Sequence, residues 1–382
     1  MDAIPDADTL SGPLPPLYAR WMSELLPGPL PAERYATCGD CAMCATAGPA
    51  RTAQLGTFNP ATKCCTYLPN VWNFLAGRLL FDDDPAAARG RATVEARIDA
   101  GAGITPLGLG KTPAYTLLYA HIEQAWGKAL SMRCPHYLEA EGGLCGVWKH
   151  RESTCATWFC KHERGAVSRD FWRAIHQLLQ TAEKGVAQWC VRELEVGVDA
   201  LRALFPHEAE RISAKLSADE FDGRADPERY RRVWGRWLGR ERDFYRQAAT
   251  LVTDMRWHDV TQICGPELHI FTDVTRAAWD TLVSDTVPAR VRVGKYDVVD
   301  TGAEHVTVSG NSGFEPLRLP RQLVAVLGYF DGRPTDEVLL AIAAAEGLEI
   351  EPALVSKLVD FRILVLVPGG TPASRGASSA ER

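Results

Sequence analysis

Several features that are common in other classes of protein are missing from this 382-residue sequence. No stretch approaches about 18 consecutive apolar residues, so the sequence predicts no segment that spans a bilayer. The first residues, MDAIPDADTLSGPLPPLYARW, contain acids and prolines, whereas a secretory signal needs a basic start followed by an apolar run. We therefore expect a cytoplasmic protein that is neither exported nor bound to a membrane.

An excess of positive charge is also missing. The chain has 42 lysines and arginines against 48 aspartates and glutamates, whereas nucleic-acid-binding domains are usually basic. A phosphate-binding loop would need glycine where Thr105 stands in TPLGLGKTP, and no pair of a nucleophile and a base is readable from the spacing. The sequence thus predicts no nucleic-acid partner and no nucleotide cofactor, and it identifies no catalytic residue.

Cysteine, by contrast, is abundant and unevenly placed. Nine of the eleven cysteines precede residue 161: Cys38, Cys41, Cys44, Cys64, Cys65, Cys134, Cys145, Cys155 and Cys160. In a reducing cytoplasm, metal ligation or redox chemistry explains such clustering better than a disulfide framework does. Cys190 and Cys264 lie apart from the others on helical stretches, where we expect them to pack as small apolar side chains.

The segment CGDCAMC places Cys38, Cys41 and Cys44 at C-x2-C-x2-C spacing. Three thiolates from one loop and a distant cysteine followed by proline, as Cys134 is by Pro135, form the ligand set of many cuboidal 4Fe-4S clusters. A structural zinc site needs only two pairs of cysteines, so it does not explain the third thiol of the CGDCAMC segment. Zinc is not excluded by this spacing. The remaining cysteines provide enough thiols for a second site.

Histidines and basic residues surround the later cysteines. We treat Cys160 and three histidines as second-tier ligands, namely His136, His150 and His162. A site of four thiolates carries negative charge that needs compensation when it is partly buried. The basic residues expected to provide it, and to lower the pKa of the neighbouring thiols, are Lys149, His150, Arg151, Lys161, His162 and Arg164.

The run CPHYLEAEGGLCGVWKHRESTC resembles the second half of the YkgJ-type cysteine-cluster proteins, a family described as zinc- or iron-chelating. The matching positions are Cys134, Pro135, Cys145, Trp148, Arg151 and Cys155. Cys38, Cys41 and Cys44 match the first three cysteines of the family's C-x2-C-x2-C-C element. The vicinal pair Cys64 and Cys65 follows an insertion, and Glu152 replaces a usual proline. This resemblance covers residues 38–164 and implies metal ligation without implying a reaction.

The whole chain is expected to be mainly α, with an irregular metal-stabilised cysteine-rich domain and a small α+β winged-helix-like C-terminal domain. The predicted parts are a proline-rich arm without regular helix (1–36), the cysteine-cluster domain (37–165), a helical domain (166–286), the winged-helix-like module (287–367) and a disordered tail (368–382). Apolar periodicity predicts a helix within residues 115–130, one long helix from Asp170 and another helix after Pro227. In the module, the sequence predicts short strands after Pro288, then the segment PRQLVAVLGYF, the turn DGRP, the helices TDEVLLAIAAAEG and PALVSKLVDF and a final strand RILVLV, with Thr335 as the N-cap of the first of these two helices.

The C-terminal module looks like the PqqD-like peptide-binding and winged-helix modules attached to enzymes that modify peptides or proteins. Together, the two resemblances imply an iron–sulfur or zinc protein that takes part in the modification or maturation of a protein or peptide held by this module. Two other functions fit the same residues. One is a non-catalytic, zinc-stabilised interaction protein, and the other is an S-adenosylmethionine-dependent methylase resembling the flagellin lysine methylases.

Overall fold

The computed structural model describes residues 13–34, 36, 38–39, 41, 43–44, 58–208 and 215–367. The predicted disordered tail and the first residues of the predicted arm lie outside this part of the chain. Within it, the protein is mainly α-helical with small antiparallel sheets. No helix in the described part is long and apolar enough to cross a membrane.

The N-terminal and central helices pack around one large apolar core that extends from Leu14 to Leu282. Its largest fully buried side chains include Trp21, Phe74 and Trp172. The helices are α1 Pro16–Leu25, α2 Asn73–Phe81, α3 Ala88–Ala100, α4 Pro113–Tyr119, α5 Ser153–Thr157, α6 Gly165–Glu193, α7 Val198–Leu204, α8 Ala218–Phe221, α9 Pro227–Trp234, α10 Glu241–Val252, α11 Trp257–Cys264 and α12 Pro266–Val283.

Helix α6 confirms the long helix predicted from Asp170. Its apolar side chains recur at three- and four-residue steps, so one face of the helix is buried. That face contacts α5, α11 and α12. Cys190 lies on it with no exposed surface, as the sequence predicts. Helix α6 therefore connects the cysteine-rich segments to the rest of the core.

Helix α1 contradicts the prediction that residues 1–36 contain no regular helix. Pro16 occupies the first helical position, where a missing N–H costs nothing and the fixed φ of proline suits the helix. The next nine residues contain no proline. Tyr18 and Trp21 are completely buried on the inner face of α1, so this segment belongs to the core.

Two other predicted helices are shorter than expected. The helix predicted within residues 115–130 ends with α4 and continues as single 3-10 turns at Glu123–Ala125 and Leu130–Met132. The helix after Pro227 is divided into α9 and α10. Gly235 and Gly239 adopt positive φ angles of 48° and 78° between these helices, a conformation that ends helices.

Very short strands order the cysteine-rich segments. Strands β1 Val71–Trp72, β2 Ile104–Thr105 and β3 Gly108–Leu109 form an antiparallel sheet in the order β1-β3-β2. Strands β4 Tyr137–Leu138 and β5 Leu144–Cys145 form a hairpin. The intervening chain is made of turns and 3-10 helices, which matches the irregular character expected for this region.

The C-terminal module has a second apolar core, which includes Val291, Phe330, Ile342 and Leu358. Strand β6 Arg290–Val293 lies between β10 Asp331–Pro334 and β11 Leu364–Leu366, and β8 His305–Ser309 lies between β7 Asp297–Thr301 and β9 Leu317–Pro320. The helices are α13 Arg321–Val326, α14 Thr335–Glu346 and α15 Pro352–Asp360. The order of these elements follows the prediction closely.

Two local predictions in the module are wrong. The DGRP segment is strand β10 rather than a turn, because it pairs with the edge of β6. Thr335 was expected to be the N-cap of α14, but Pro334 holds that position. The Thr335 hydroxyl instead donates to Pro288 O (2.6 Å), which ties α14 to the chain entering β6.

The module contacts the start of α6. Arg164 makes a two-pronged ion pair with Asp360, with N–O distances of 2.8 and 3.0 Å, and Arg362 pairs with Asp170 at 3.1 Å. The domain boundaries drawn at residues 36, 165 and 286 stay predictions. The arm, the cysteine-rich segments and the central helices all contribute side chains to the same core.

Candidate metal centre

Backbone hydrogen bonds join cysteines that lie far apart in the sequence. Cys134 N donates to Cys65 O (2.7 Å). The β4–β5 hairpin then places Cys145 opposite Tyr137, whose own N–H donates to Cys134 O (3.0 Å). Three of the predicted ligands are therefore held by the backbone in one small region.

The buried ammonium group of Lys63 attaches the first cysteine loop to the same region. Its Nζ donates to Cys38 O (2.6 Å) and to the carbonyl oxygens of Gly142 and Gly143 (3.0 Å each). Lys63 also has a positive φ of 50°, a conformation that is rare for non-glycine residues. Sequence reasoning missed this residue, although its position directly before Cys64 was a usable signal.

Helix α5 holds Cys155, and a buried carboxylate caps the start of that helix. Glu152 accepts hydrogen bonds from Thr154 N (2.8 Å) and Cys155 N (3.0 Å), which satisfies amide groups that have no partner within the helix. The carboxylate at position 152 therefore fixes the start of the helix that carries Cys155.

A second buried carboxylate, Glu183 on α6, fixes α5 in place. It accepts hydrogen bonds from Ser153 N and Ser153 Oγ (2.6 Å each), from Trp72 Nε1 (3.1 Å) and from the Tyr18 hydroxyl. Burial and the nearby charge of Glu152 raise the pKa of Glu183 to about 8. No sequence pattern identifies Glu183, because its partners come from three separate elements.

The thiol of Cys64 lies at the electrostatic centre of the cysteines. Its own pKa is raised well above the usual value, first by a hydrogen bond with the Cys65 thiol and then by burial and by Cys41. Besides burial, its charge contributes to the raised pKa of six other thiols, those of Cys38, Cys44, Cys134, Cys145, Cys155 and Cys160. The cysteines predicted as metal ligands thus lie within electrostatic range of Cys64.

Burial dominates the ionisation of these thiols. It raises the pKa of Cys38, Cys44 and Cys134 to about 12 and the pKa of Cys145 and Cys160 to about 11. The sequence suggested that neighbouring bases would lower these values. That prediction is wrong in its net direction, because desolvation of a thiolate outweighs the attraction of nearby cations here.

Only some of the predicted basic residues act on the thiols. The guanidinium of Arg151 is buried and opposes the rise in the pKa of Cys38 and Cys145, and Lys161 does the same for Cys160. Lys63, which was not predicted, opposes it for Cys38 and Cys44. The others bind carboxylates elsewhere: Lys149 and His150 bind Asp82, His162 binds Glu315 and Arg164 binds Asp360.

Of the three histidines, only His136 has a buried ring nitrogen without a hydrogen-bonding partner among the described residues. His150 Nε2 lies 3.2 Å from Asp82 Oδ2, and His162 Nδ1 lies 2.8 Å from Glu315 Oε1. His136 is fully buried, and burial lowers its pKa to about 3. Its Nδ1 contacts the Thr93 hydroxyl (2.7 Å), while Nε2 is unpaired. A neutral imidazole with a free nitrogen has the chemistry of a metal ligand.

How well these donors fit a metal site depends on whether the site holds one ion or a cluster of several metal atoms. A tetrahedral zinc ion holds its sulfur ligands about 3.8 Å apart. Among the residues that the structure describes, no group of three or more histidine, cysteine, aspartate or glutamate side chains has an arrangement suited to one ion. None of the eleven cysteines, all of them in the described part, forms a disulfide. Thiols are soft donors of the kind that bind zinc and iron–sulfur clusters, but in the described part of the chain they do not form a compact metal-binding group.

No protein-family model, curated protein or solved structure matches this chain. The resemblance to the YkgJ-type proteins therefore stays an expectation based on the cysteine motif.

Proposed function

We propose that this chain is a cytoplasmic metal-binding protein of the YkgJ type, which holds an iron–sulfur cluster among the cysteines gathered around Cys64. The position of Cys64 carries the proposal, since its thiol influences the ionisation of six other thiols. Reduced cysteines used only for packing have no reason to converge from distant segments. A cluster with several metal atoms needs thiols spread around a wider space than one ion does.

Charge compensation supports the same proposal. Thiolates that bind metal away from water require nearby cations. Arg151 and Lys63 are both buried beside Cys38. The hydrogen bonds that hold Lys63 and Arg151 in place all end on backbone carbonyl oxygens. These bonds bring no carboxylate to neutralise either charge. Their positive charge is thus available to the thiolates.

The proposed ligand set follows the sequence motif. Cys38, Cys41, Cys44 and Cys134 have the spacing along the chain that is typical of a cuboidal cluster, and Cys64 interacts electrostatically with Cys38, Cys44 and Cys134. Cys145 and Cys155 provide the thiols for a second site or replace a member of the first. An iron–sulfur cluster bound here would supply electron transfer, while the protein would control access and position the partner.

We further propose that the winged-helix-like C-terminal module holds the protein or peptide on which this centre acts. Strand β9 pairs only with β8 among the described strands, so its other edge is open for an added strand. A groove of about 310 Å³ runs beside β9 and α15 and is lined mainly by leucines. Such a groove suits alternate apolar side chains of an extended peptide.

Metal and sulfide analysis tests the proposal. The protein would be purified anaerobically as wild type, as Cys64→Ser and as the matched control Cys264→Ser, whose thiol lies outside the cysteine group. We expect iron and acid-labile sulfide in the wild type and in Cys264→Ser, and loss of most of both in Cys64→Ser. A wild type without iron or sulfide contradicts the proposal.

The same samples distinguish the two alternatives. Stoichiometric zinc without sulfide would identify a zinc-stabilised interaction protein. Calorimetric binding of S-adenosylmethionine by the iron-containing protein would indicate the methylase function.

A further inference from the structure

A half-open pocket of about 420 Å³ lies where the cysteine-rich region, α6 and the C-terminal module meet. Three parts of the chain contribute to it: α5 with the residues that follow it, the first half of α6, and the loop after β8. Its apolar walls are the aromatic rings of Trp158, Phe159, Trp172 and Phe314. A volume of this size accommodates a small organic molecule.

The pocket collects buried polar atoms that have no hydrogen-bonding partner. Arg169 Nε, His176 Nδ1 and Asn311 Oδ1 are all inaccessible and unpaired, and all three residues line this pocket. Arg169 Nε is 3.5 Å from Asp170 Oδ1, which gives attraction without a hydrogen bond. Unpaired buried polar atoms are costly and uncommon in folded proteins, so three around one pocket offer hydrogen-bonding positions to a polar ligand.

The orientation of Asn311 defines what this ligand must offer. Its Nδ2 donates to Glu315 Oε2 (3.1 Å), which leaves Oδ1 as an acceptor in need of a donor. Arg169 Nη1 donates to the backbone carbonyl oxygen of Asn311 (3.3 Å), so the guanidinium lies beside residue 311. The ligand therefore carries an acceptor and a donor close together.

The charges of the residues around the pocket favour binding of an anion. Arg169, Arg173 and His176 follow one another at four- and three-residue steps on α6, so they share one face of the helix. Glu315 is the acid lining the pocket, and it is already occupied by His162 and Asn311. An incoming carboxylate would thus meet two arginines and no uncommitted acid among the lining residues.

We propose that this pocket binds a small α-hydroxy or α-amino carboxylate with an apolar, preferably aromatic, side chain. The carboxylate accepts from Arg169, the α-hydroxyl or α-ammonium group donates to Asn311 Oδ1, and the side chain packs between the aromatic walls. Cys160 lines the same pocket, and its thiol interacts electrostatically with those of Cys41 and Cys64. The ligand would lie beside the cysteine group, yet its binding requires no metal there.

Ligand-observed NMR titration of the full-length protein tests this site with 3-phenyllactate and L-phenylalanine as probes. These two probes distinguish an α-hydroxyl from an α-ammonium donor. Two matched compounds serve as controls, since 3-phenyllactamide lacks the carboxylate and 3-phenylpropanoate lacks the α-donor. We expect saturable binding of at least one probe, and binding about tenfold weaker for each control.

Variants locate the binding. Arg169→Gln should lower the affinity for the bound probe about tenfold. Arg173 lies on the exposed rim, so Arg173→Gln should lower that affinity about threefold. Arg231→Gln on α9 should have no effect. If Arg169→Gln does not fold, Arg173→Gln decides the matter. Absence of saturable binding of both probes by the wild type up to about 10 mM, equal binding of the amide, or unchanged binding in the arginine variants would overturn the proposal.

Discussion

In the C-terminal module, strands and helices bury regularly spaced apolar side chains in a core of their own, including Val291, Phe330 and Ile342. Between residues 58 and 164, apart from helices α2, α3 and α4, the elements are far shorter, with two-residue strands and single 3-10 turns. Long-range contacts there depend on polar groups, such as Lys63 and Glu183, that bond to distant backbone or side-chain atoms. Periodic burial thus specifies one region, while individual hydrogen bonds specify the other.

The same contrast extends to solvent and charge. The module's own core consists of apolar side chains, and its buried carboxylates, Glu315 and Asp360, lie at the junction with residues 162 and 164. The cysteine-rich region buries thiols, an ammonium, a guanidinium and two carboxylates close to one another. Buried ionisable groups make a region sensitive to pH and to ligands, so the two regions should respond differently to the same change in conditions.

The largest expected difference is the pH dependence of metal binding. A thiol must lose its proton to bind a metal, and burial raises the pKa of Cys38 and Cys134 to about 12. Each ionising thiol therefore weakens apparent affinity about tenfold for each unit of falling pH, or about ten thousandfold for four ligands. The iron and sulfide that the anaerobically purified protein retains against an iron chelator at pH 7 and pH 8 measure this effect. Equal retention at the two pH values would show that these thiols do not bind the cluster.

The next largest expected effect is the loss of stability when the Glu183 carboxylate is removed. Glu183→Ala should lower the free energy of unfolding by about 4 kcal/mol, because it leaves Ser153 N, Trp72 Nε1 and the Tyr18 hydroxyl buried without their acceptor. Chemical denaturation measures it, with Glu193→Ala at the exposed end of α6 as the control. A loss below about 1 kcal/mol would mean that these donors find other partners.

Glu183 also predicts a pH effect on stability. Its pKa in the folded protein is about 8, above the ordinary value of 4.5. Ionisation is therefore harder in the folded chain, and the associated stability is complete below pH 4.5 and lost as the pH rises through about 8. Glu183→Gln cannot ionise, so this decline should be absent from its denaturation curves across that range. A decline of equal size in the variant would assign it to another group.

The difference between these two kinds of region explains which structural elements could be predicted from the sequence. The order of elements in the module was predictable because alternation in VTVS and three- and four-residue steps in VLLAIAAA indicate strands and helices directly. Helix α6 was predictable for the same reason. The DGRP strand was missed because its pairing with β6 depends on tertiary contact, which local turn composition does not reveal.

In the candidate centre, the sequence identified which cysteines to group but not how they would be arranged. The central position of Cys64 follows from the turn at Lys63 and from the bond between Cys134 N and Cys65 O, and neither has a periodic signature. The bases near Cys145 were predicted from proximity in sequence, yet Lys149 and His150 point to Asp82 instead. Where the backbone is irregular, closeness in the sequence does not predict which group a side chain points toward.

A truncation in the module core should separate the two regions. Ile342 is completely buried on α14, so Ile342→Ala should destabilise the module by about 3 kcal/mol through lost packing. Leu340 is 72% exposed on the same helix, and Leu340→Ala serves as the control with little expected change. Hydrogen exchange of module peptides measures the effect, while iron and sulfide content should stay at the wild-type level. Loss of the metal together with the module would show that the regions fold as one unit.

The smallest expected effects concern the junction between the regions, where two ion pairs differ in burial. Arg164 and Asp360 form a two-pronged pair with 32% and 11% of their side chains exposed, whereas Arg362 and Asp170 are each 49% exposed. Two charge-assisted hydrogen bonds in a partly buried setting contribute more than one screened contact in water. Arg164→Met should therefore loosen the module by about 2 kcal/mol, and Arg362→Met by about 0.5 kcal/mol or less.

Limited proteolysis of the chain between α12 and β6 measures both variants, because cleavage there requires the module to move away from α6. The Arg164 side chain also donates to the Leu282 and Ser284 carbonyl oxygens at the end of α12, so its loss frees this connecting segment as well as Asp360. Added salt should accelerate cleavage of the wild type only slightly, since the exposed pair is the one that salt screens. Equal cleavage of the two variants would mean that apolar contact, rather than the buried ion pair, holds the module in place.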